Sequence, residues 1–124
     1  MKFELMNTVL LAEDYARMRD WYMAALGLEL KQEWNTDYHY AELVRDGRRV
    51  IGIADAKEMG AEPISPRRNM TLMQIQTDDI EALFAGVAAQ GGDVQGPQLE
   101  KTENFRFGGF TDPEGNSVWV VETL

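Results

Sequence analysis

The sequence predicts an α+β fold made of two tandem βαβββ units in a single domain of 124 residues. Two aspartates that each precede a helix-like segment, Asp14 and Asp79, lie 65 residues apart, close to half the chain. The segments that follow each aspartate come in the same order, as expected for an internal repeat. In an arrangement of this class, both helices are expected to pack on one face of mixed sheets.

The first unit, about residues 1–55, contains one helix and four strands. Asp14 is the predicted N-cap of the helix, apolar residues follow it at helical spacing, and Gly27 is a typical residue to end it. A turn signal, "RDGR", separates the third strand from the fourth. The predicted strands are Phe3–Ala12, Leu28–Trp34, Tyr38–Arg45 and Arg49–Ala54.

The second unit, about residues 70–124, repeats this order after a linker at 56–69. The linker belongs to the stretch "DAKEMGAEPISPRRN", whose prolines, glycine and scattered charges favour a loop long enough to be functional. Asp78 or Asp79 is the predicted cap of the second helix, which ends at Gly91 and Gly92. The predicted strands are Met70–Thr77, Asp93–Leu99, Phe105–Thr111 and Ser117–Glu122.

Composition excludes several classes of function. The chain has 21 acidic and 12 basic residues and a net charge of −9, whereas nucleic-acid binding requires a basic surface. It has no cysteine, which excludes disulfides, zinc thiolate sites and thiol nucleophiles. No segment has the length of a membrane span, and the N-terminus lacks the apolar core of a signal peptide. We therefore expect a cytoplasmic protein that binds neither nucleic acid nor membranes.

Three segments carry a resemblance to a known family. "FTDPEGN" predicts a tight turn, because Pro113 presets it and Gly115 and Asn116 tolerate a positive φ. "LAEDYARMRDWYMAALGLEL" and "DDIEALFAGVAAQGG" look like the two strand–helix segments. With the tandem βαβββ order, they resemble the glyoxalase/bleomycin resistance/dioxygenase group, the vicinal oxygen chelate superfamily, over essentially the whole chain. The resemblance implies a concave cleft and a homodimer around it.

The resemblance also implies four positions for metal ligands, where family enzymes use His, Glu or Gln. The first two lie seven residues before the capping aspartates, at Asn7 and Leu72. The third falls within Val50–Ala54, where no side chain is a metal donor. The fourth, three residues after the asparagine of the "DPEGN" turn, is Trp119. Since at most one of the four could bind a metal, we expect no metal, no other cofactor and no catalytic residue.

The predicted ligand site consists of aromatic and polar side chains. Trp119 either packs in the core or lines the cleft, and both strand alternation and the resemblance favour the cleft. Glu42 is either a solvated carboxylate or, if Tyr40 faces the cleft, an acid, a base or an anchor for a cation. His39 is expected to be a partly exposed strand residue, and Arg106 a polar anchor or a solvated rim residue. The predicted ligand-binding residues are Asn7, Trp34, Tyr38, Tyr40, Glu42, Leu72, Gln74, Phe105, Phe107 and Trp119.

These observations favour a metal-free binding protein over an enzyme. A cleft of this kind resembles bleomycin-resistance-type proteins, which sequester an antibiotic or another flat, often cationic, molecule, and the negative charge suits a cationic guest. Two rival functions stay open. One is a metal-dependent lyase or dioxygenase of the same superfamily, against which the missing ligands count. The other is a metal-independent enzyme that uses Glu42 or another cleft carboxylate as a general base.

Overall fold

A computed structural model describes residues 1–2, 4–61 and 72–123. Three predicted elements lie partly outside these residues. They are the first strand at Phe3, the linker at 62–69 and the fifth strand at 70–71. The elements are β1 (Thr8–Ala12), α1 (Tyr15–Leu26), β2 (Glu29–Asn35), β3 (His39–Arg45), β4 (Arg48–Asp55), β5 (Met73–Thr77), α2 (Ile80–Ala89), β6 (Asp93–Leu99), β7 (Phe105–Thr111) and β8 (Ser117–Thr123). The predicted α+β fold with two tandem βαβββ units is confirmed.

Both helices begin at the aspartates that the sequence predicts. The Asp14 carboxylate accepts a hydrogen bond from the Arg17 N–H at 3.2 Å, and Asp79 accepts one from the Ala82 N–H at 3.0 Å. These bonds satisfy amides that have no partner inside the helix. Gly27 ends α1 with φ 64°, a left-handed conformation in which glycine meets no steric penalty. Neither described helix is long and apolar enough to cross a membrane.

The chain divides into two compact units. The first contains the sheet β1-β4-β3-β2 and most of α1, and the second contains the sheet β5-β8-β7-β6, α2 and the last residues of α1, Ala24–Leu26. In each sheet the first strand pairs in parallel with the last strand of its unit, and the other pairs are antiparallel. Both sheets are therefore mixed, as the sequence predicts.

Each sheet has one strongly buried face. In the first unit, alternate residues of β3 and β4 are fully buried, among them Ala41, Leu43, Ile51 and Ile53. In the second unit the corresponding face carries Phe110, Val118 and Val120, and α2 packs on that sheet. The opposite faces carry the residues that the sequence predicts to bind a ligand.

A buried carboxylate joins α2 to its sheet. Glu122 in β8 is 6% exposed and accepts hydrogen bonds from the Ile80 N–H at 2.7 Å and from the Arg106 guanidinium at 2.8 Å. Arg106 also bonds Glu81 at 3.1 Å. The expectation of a solvated rim position for Arg106 is wrong, because the side chain pairs with a buried carboxylate instead.

Candidate functional site

The candidate site residues fall into two sets, one in each unit. We call the first set the first aromatic face: Asn7, Trp34, Tyr38, Tyr40 and Glu42. The second aromatic face consists of Leu72, Gln74, Phe105, Phe107 and Trp119. Strand pairing puts the members of each set that lie in strands on one side of their sheet, opposite the strongly buried face. The structure thus divides these ten residues into two groups of five, one in each unit.

The turn before β8 positions Trp119. The Asp112 carboxylate accepts hydrogen bonds from the Glu114 and Asn116 N–H groups at 2.9 and 3.0 Å. Its second oxygen accepts one from Asn116 Nδ2 at 2.8 Å. Gly115 has φ 84°, whereas the φ of Asn116 is not positive. Of the two residues that the sequence marks as tolerating a positive φ, only Gly115 uses one, and the Asn116 side chain closes the turn on Asp112.

Trp119 is 46% exposed and lies beside Phe107. The two rings are stacked, with centroids 6.2 Å apart and planes 21° apart, and Phe105 lies at 6.0 Å from Phe107 in a tilted arrangement. Gln74 pairs directly with Trp119 across β5 and β8, and Leu72 is 47% exposed just before β5. The alternative of a core tryptophan is excluded by this exposure. The second aromatic face offers a flat apolar surface with an amide at its side.

The first aromatic face has a more polar character. Trp34 lies 6.4 Å from Tyr38 in a stacked arrangement and 5.5 Å from Tyr40 in a tilted one. The Tyr40 hydroxyl accepts a hydrogen bond from Asn7 Nδ2 at 3.1 Å. A hydroxyl that accepts one bond still has its own proton to donate. This face therefore presents a donor next to a group of rings.

Glu42 is not the solvated carboxylate that the sequence favours. It is 4% exposed, and its Oε1 accepts a hydrogen bond from Arg49 Nε at 2.7 Å. The Arg49 side chain is 44% exposed. A carboxylate is removed from water at high cost unless an opposite charge is close, and here Arg49 supplies it. Glu42 is thus already paired with a cation from its own chain.

Sequence reasoning missed Arg49 because a β-bulge changes the side on which it lies. Simple alternation along β4 would place the Arg49 side chain on the other side of the sheet from Gly52. The pairing of β3 with β4 shifts between Leu43 and Val44, so that Val44 lies opposite Arg49. An extra residue of this kind reverses the side of the residues that precede it. No signal in the sequence marks the bulge.

His39 lies on the other side of the first sheet. Its Nδ1 is 2.6 Å from Glu58 Oε1, and its ring centroid is 5.4 Å from that of Tyr15. Tyr15 donates to Glu33 at 2.7 Å, and burial, then this carboxylate, raises the pKa of the Tyr15 hydroxyl. The prediction of a partly exposed strand histidine is confirmed, since its side chain is 36% exposed. These contacts tie helix α1 and the Glu58 loop to the first sheet.

The two units differ at a matched position. Val9 pairs with Gly52 in the first unit as Gln74 pairs with Trp119 in the second. The strand pairing thereby identifies Gly52 as the counterpart of Trp119 within Val50–Ala54. A Cβ atom on Gly52 would lie 2.6 Å from the Tyr40 hydroxyl oxygen and 2.9 Å from its ring. The Tyr40 side chain occupies the space that a side chain at residue 52 would need.

The side chains at the four positions that the resemblance assigns to metal ligands do not fit a metal site. Asn7 offers one amide, Gly52 has no side chain, and Leu72 and Trp119 have no suitable donor, whereas catalytic zinc sites use three protein ligands. Among residues 1–2, 4–61 and 72–123, no group of three His, Cys, Asp or Glu side chains is placed to hold a metal ion.

This fold, with aromatic and polar side chains opposite the buried face of each sheet, is that of a known class of α+β proteins. The chain belongs to the Glyoxalase/Bleomycin resistance protein/Dioxygenase superfamily, whose model matches residues 5–120. No curated protein matches the chain.

Solved structures share the fold at low sequence identity. TnmS3, an antibiotic binding protein from Streptomyces sp. CB03234, is 17% identical with a TM-score of 0.77, and the match covers 99% of this chain and 98% of that one. TioX from Micromonospora sp. ML1 is 20% identical with a TM-score of 0.76 over 98% and 100% of the two chains. A superfamily member from Sphaerobacter thermophilus DSM 20745 is 19% identical with a TM-score of 0.74 over 98% of each chain.

Proposed function

We propose that this protein binds a flat aromatic small molecule without a metal and sequesters it rather than transforming it. The observation that carries the proposal is Trp119, a half-exposed indole stacked on Phe107 at the position where the resemblance puts a metal-binding glutamate. Ligand sites are mostly apolar with a few placed polar groups, and both aromatic faces have this composition. The proposed ligand-binding residues are Asn7, Trp34, Tyr38, Tyr40, Glu42, Leu72, Gln74, Phe105, Phe107 and Trp119.

The likeness to TnmS3 supports an antibiotic as the class of ligand, because that protein binds one and has the same fold. The net charge of −9 supports a cationic guest at long range. Glu42 is a weaker candidate for an anchor of that cation, because Arg49 already balances its charge. This contact with Arg49 also weakens the rival function in which Glu42 is a general base.

Ligand binding is testable by thermal-shift screening against planar natural products and antibiotics. A ligand present at about 100 times its dissociation constant stabilises the folded state by about 2.7 kcal/mol, so a true ligand raises the melting temperature in a concentration-dependent way. We expect cytotoxic or antibacterial compounds with fused rings to give the largest shifts. A panel in which no planar compound shifts the melting temperature would contradict the proposal.

We further propose that the purified protein holds no stoichiometric divalent metal. The physical reason is the donor set, since Asn7, Gly52, Leu72 and Trp119 supply fewer than three protein ligands. Elemental analysis is expected to find far less than one nickel, zinc, iron or manganese per chain. About one equivalent of any of them, or chelator-sensitive turnover of a hemithioacetal or a catechol, would refute this prediction.

The proposed assembly is a cytoplasmic homodimer of single-domain chains, each with units at about 1–55 and 70–124 joined by a linker at 56–69. The chain has no cysteine, so its folding requires no oxidising compartment. Val9 and Leu11 on the edge strand β1 are 40% and 44% exposed, and such apolar edge residues support association. Light scattering at micromolar concentration is expected to give twice the mass of 14.1 kDa. The mass of a monomer would contradict the dimer.

A further inference from the structure

We propose that Arg49 is the anchor for an acidic group on the ligand, which makes the ligand of the first aromatic face a flat aromatic acid. This inference rests on the proposed function and specifies the chemistry of its ligand, with an acid in place of the cationic guest that the net charge alone favours. It starts from the ion pair between Glu42 and Arg49. A role for Glu42 as the only ligand-binding member of this pair would not explain why Arg49 is the exposed one. Glu42 is 4% exposed, whereas the Arg49 side chain that neutralises it is 44% exposed.

The geometry of the pair leaves one edge of the guanidinium group for a ligand. Glu42 Oε1 accepts from Arg49 Nε at 2.7 Å, and Glu42 is the one hydrogen-bond partner that the Arg49 side chain has within the described part of the chain. The Nη1 and Nη2 groups carry the remaining N–H donors in a fixed planar fork. This fork matches the two oxygens of a carboxylate, sulfonate or phosphate. The buried carboxylate fixes the orientation of the fork.

The neighbours of the pair match the other parts of such a ligand. Tyr40 precedes Glu42 by two residues on the same side of β3, at a spacing of about 7 Å, and Trp34 pairs with Tyr40 on β2. Rings and fork therefore lie along one side of one sheet. The Tyr40 hydroxyl, which accepts from Asn7, keeps a proton for an acceptor atom on the ligand. Gly52, directly opposite Glu42, adds no side chain between them.

A second explanation is that Arg49 serves only to neutralise Glu42. The two explanations predict different effects of Arg49→Lys on ligand binding, because lysine keeps the positive charge but has no planar fork. They also differ for two dyes with the same ring skeleton, 8-anilinonaphthalene-1-sulfonate, which is acidic, and N-phenyl-1-naphthylamine, which is neutral. The ratio of the two affinities, measured by fluorescence on one sample, is independent of the fraction of protein that is folded.

The experiment compares this ratio in the wild type, Arg49→Lys and Arg48→Met. Arg48 is an exposed neighbour that pairs with Arg45 on the other side of the sheet, so Arg48→Met tests whether any positive charge in the same hairpin produces the preference. We expect the wild type to prefer the sulfonate in spite of its net charge of −9. Arg49→Lys is expected to reduce the preference about tenfold, and Arg48→Met to leave it unchanged.

Each other outcome has a distinct meaning. A wild type that binds both dyes equally, an Arg49→Lys variant that keeps the preference, or an equal loss in Arg48→Met would overturn the role of Arg49 while the binding of flat molecules stands. If neither dye binds the wild type saturably, the proposed function fails first. Melting temperatures of the variants show whether lysine still neutralises Glu42, which is the only effect that a purely structural role predicts.

Discussion

Replacing Trp119 by alanine is expected to weaken the binding of a planar ligand found by thermal-shift screening about 5- to 150-fold. This range corresponds to about 1–3 kcal/mol, the usual cost of losing an aromatic anchor or a stacking ring. The free energy of unfolding is expected to fall by about 1 kcal/mol or less, because the indole is half exposed and loses mainly its contact with Phe107. Titration and urea unfolding on the same sample measure both quantities.

Phe110→Ala is the matched control for this experiment. Phe110 is 2% exposed and lies on the buried face of the same sheet, so its truncation is expected to cost about 3–5 kcal/mol of stability. Its effect on binding is expected to follow unfolding alone. A folded Trp119→Ala variant with wild-type affinity would remove Trp119 from the ligand site. A stability loss as large as that of Phe110→Ala would contradict the half-exposed position of Trp119.

Glu122→Gln is expected to produce the largest loss of stability among the charged positions of the second unit, and the loss is expected to depend on pH. The Ile80 N–H, followed by the Arg106 guanidinium, lowers the pKa of the Glu122 carboxyl below its ordinary value of 4.5. A lowered pKa in the folded state stabilises the fold fully above that ordinary value. This stabilisation disappears as the pH falls through the folded-state pKa.

Urea midpoints of the wild type and Glu122→Gln are therefore expected to differ at about pH 7 and to converge as the pH falls below 4.5 and through the lowered folded-state pKa of Glu122. Glu81→Gln is the control, since Glu81 also bonds Arg106 but its side chain is 69% exposed, and exposed ion pairs contribute little. We expect its midpoint to stay close to that of the wild type at every pH. A gap between the wild type and Glu122→Gln that is the same at all pH values would show that the carboxylate charge is not what stabilises α2.

The parts of the fold that sequence reasoning predicts are those with local causes. Asp14 and Asp79 cap helices because each carboxylate accepts a hydrogen bond from a backbone N–H only three residues further along the chain. The observed bounds of β6 and β7 are the same as the predicted ones, which come from apolar runs and turn residues. Strand alternation also places Trp119 and Phe107 on one side of their sheet correctly. In contrast, β1 begins only at Thr8, although the apolar residues begin earlier.

The parts that it does not predict depend on partners distant in sequence. Glu42 becomes a buried residue only because Arg49 lies on the same side of the sheet, and this requires a bulge that composition does not reveal. Arg106 becomes a partner of Glu122 across 16 residues and of Glu81 across 25. The role of Gly52 likewise depends on the Tyr40 ring, which lies in another strand. Pairing information of this kind enters only with the three-dimensional structure.

The glycine at residue 52 also has an evolutionary consequence. A variant of this chain that acquired a metal centre at these positions would need new donors at Leu72, Trp119 and Gly52. The change at Gly52 is obstructed, because a side chain there collides with Tyr40, whose hydroxyl in turn accepts from Asn7. A donor at residue 52 is therefore expected to be harmful until residue 40 has changed first. Order-dependence of this kind is epistasis, and it makes a metal-ligand set at these positions hard to reach by single mutations.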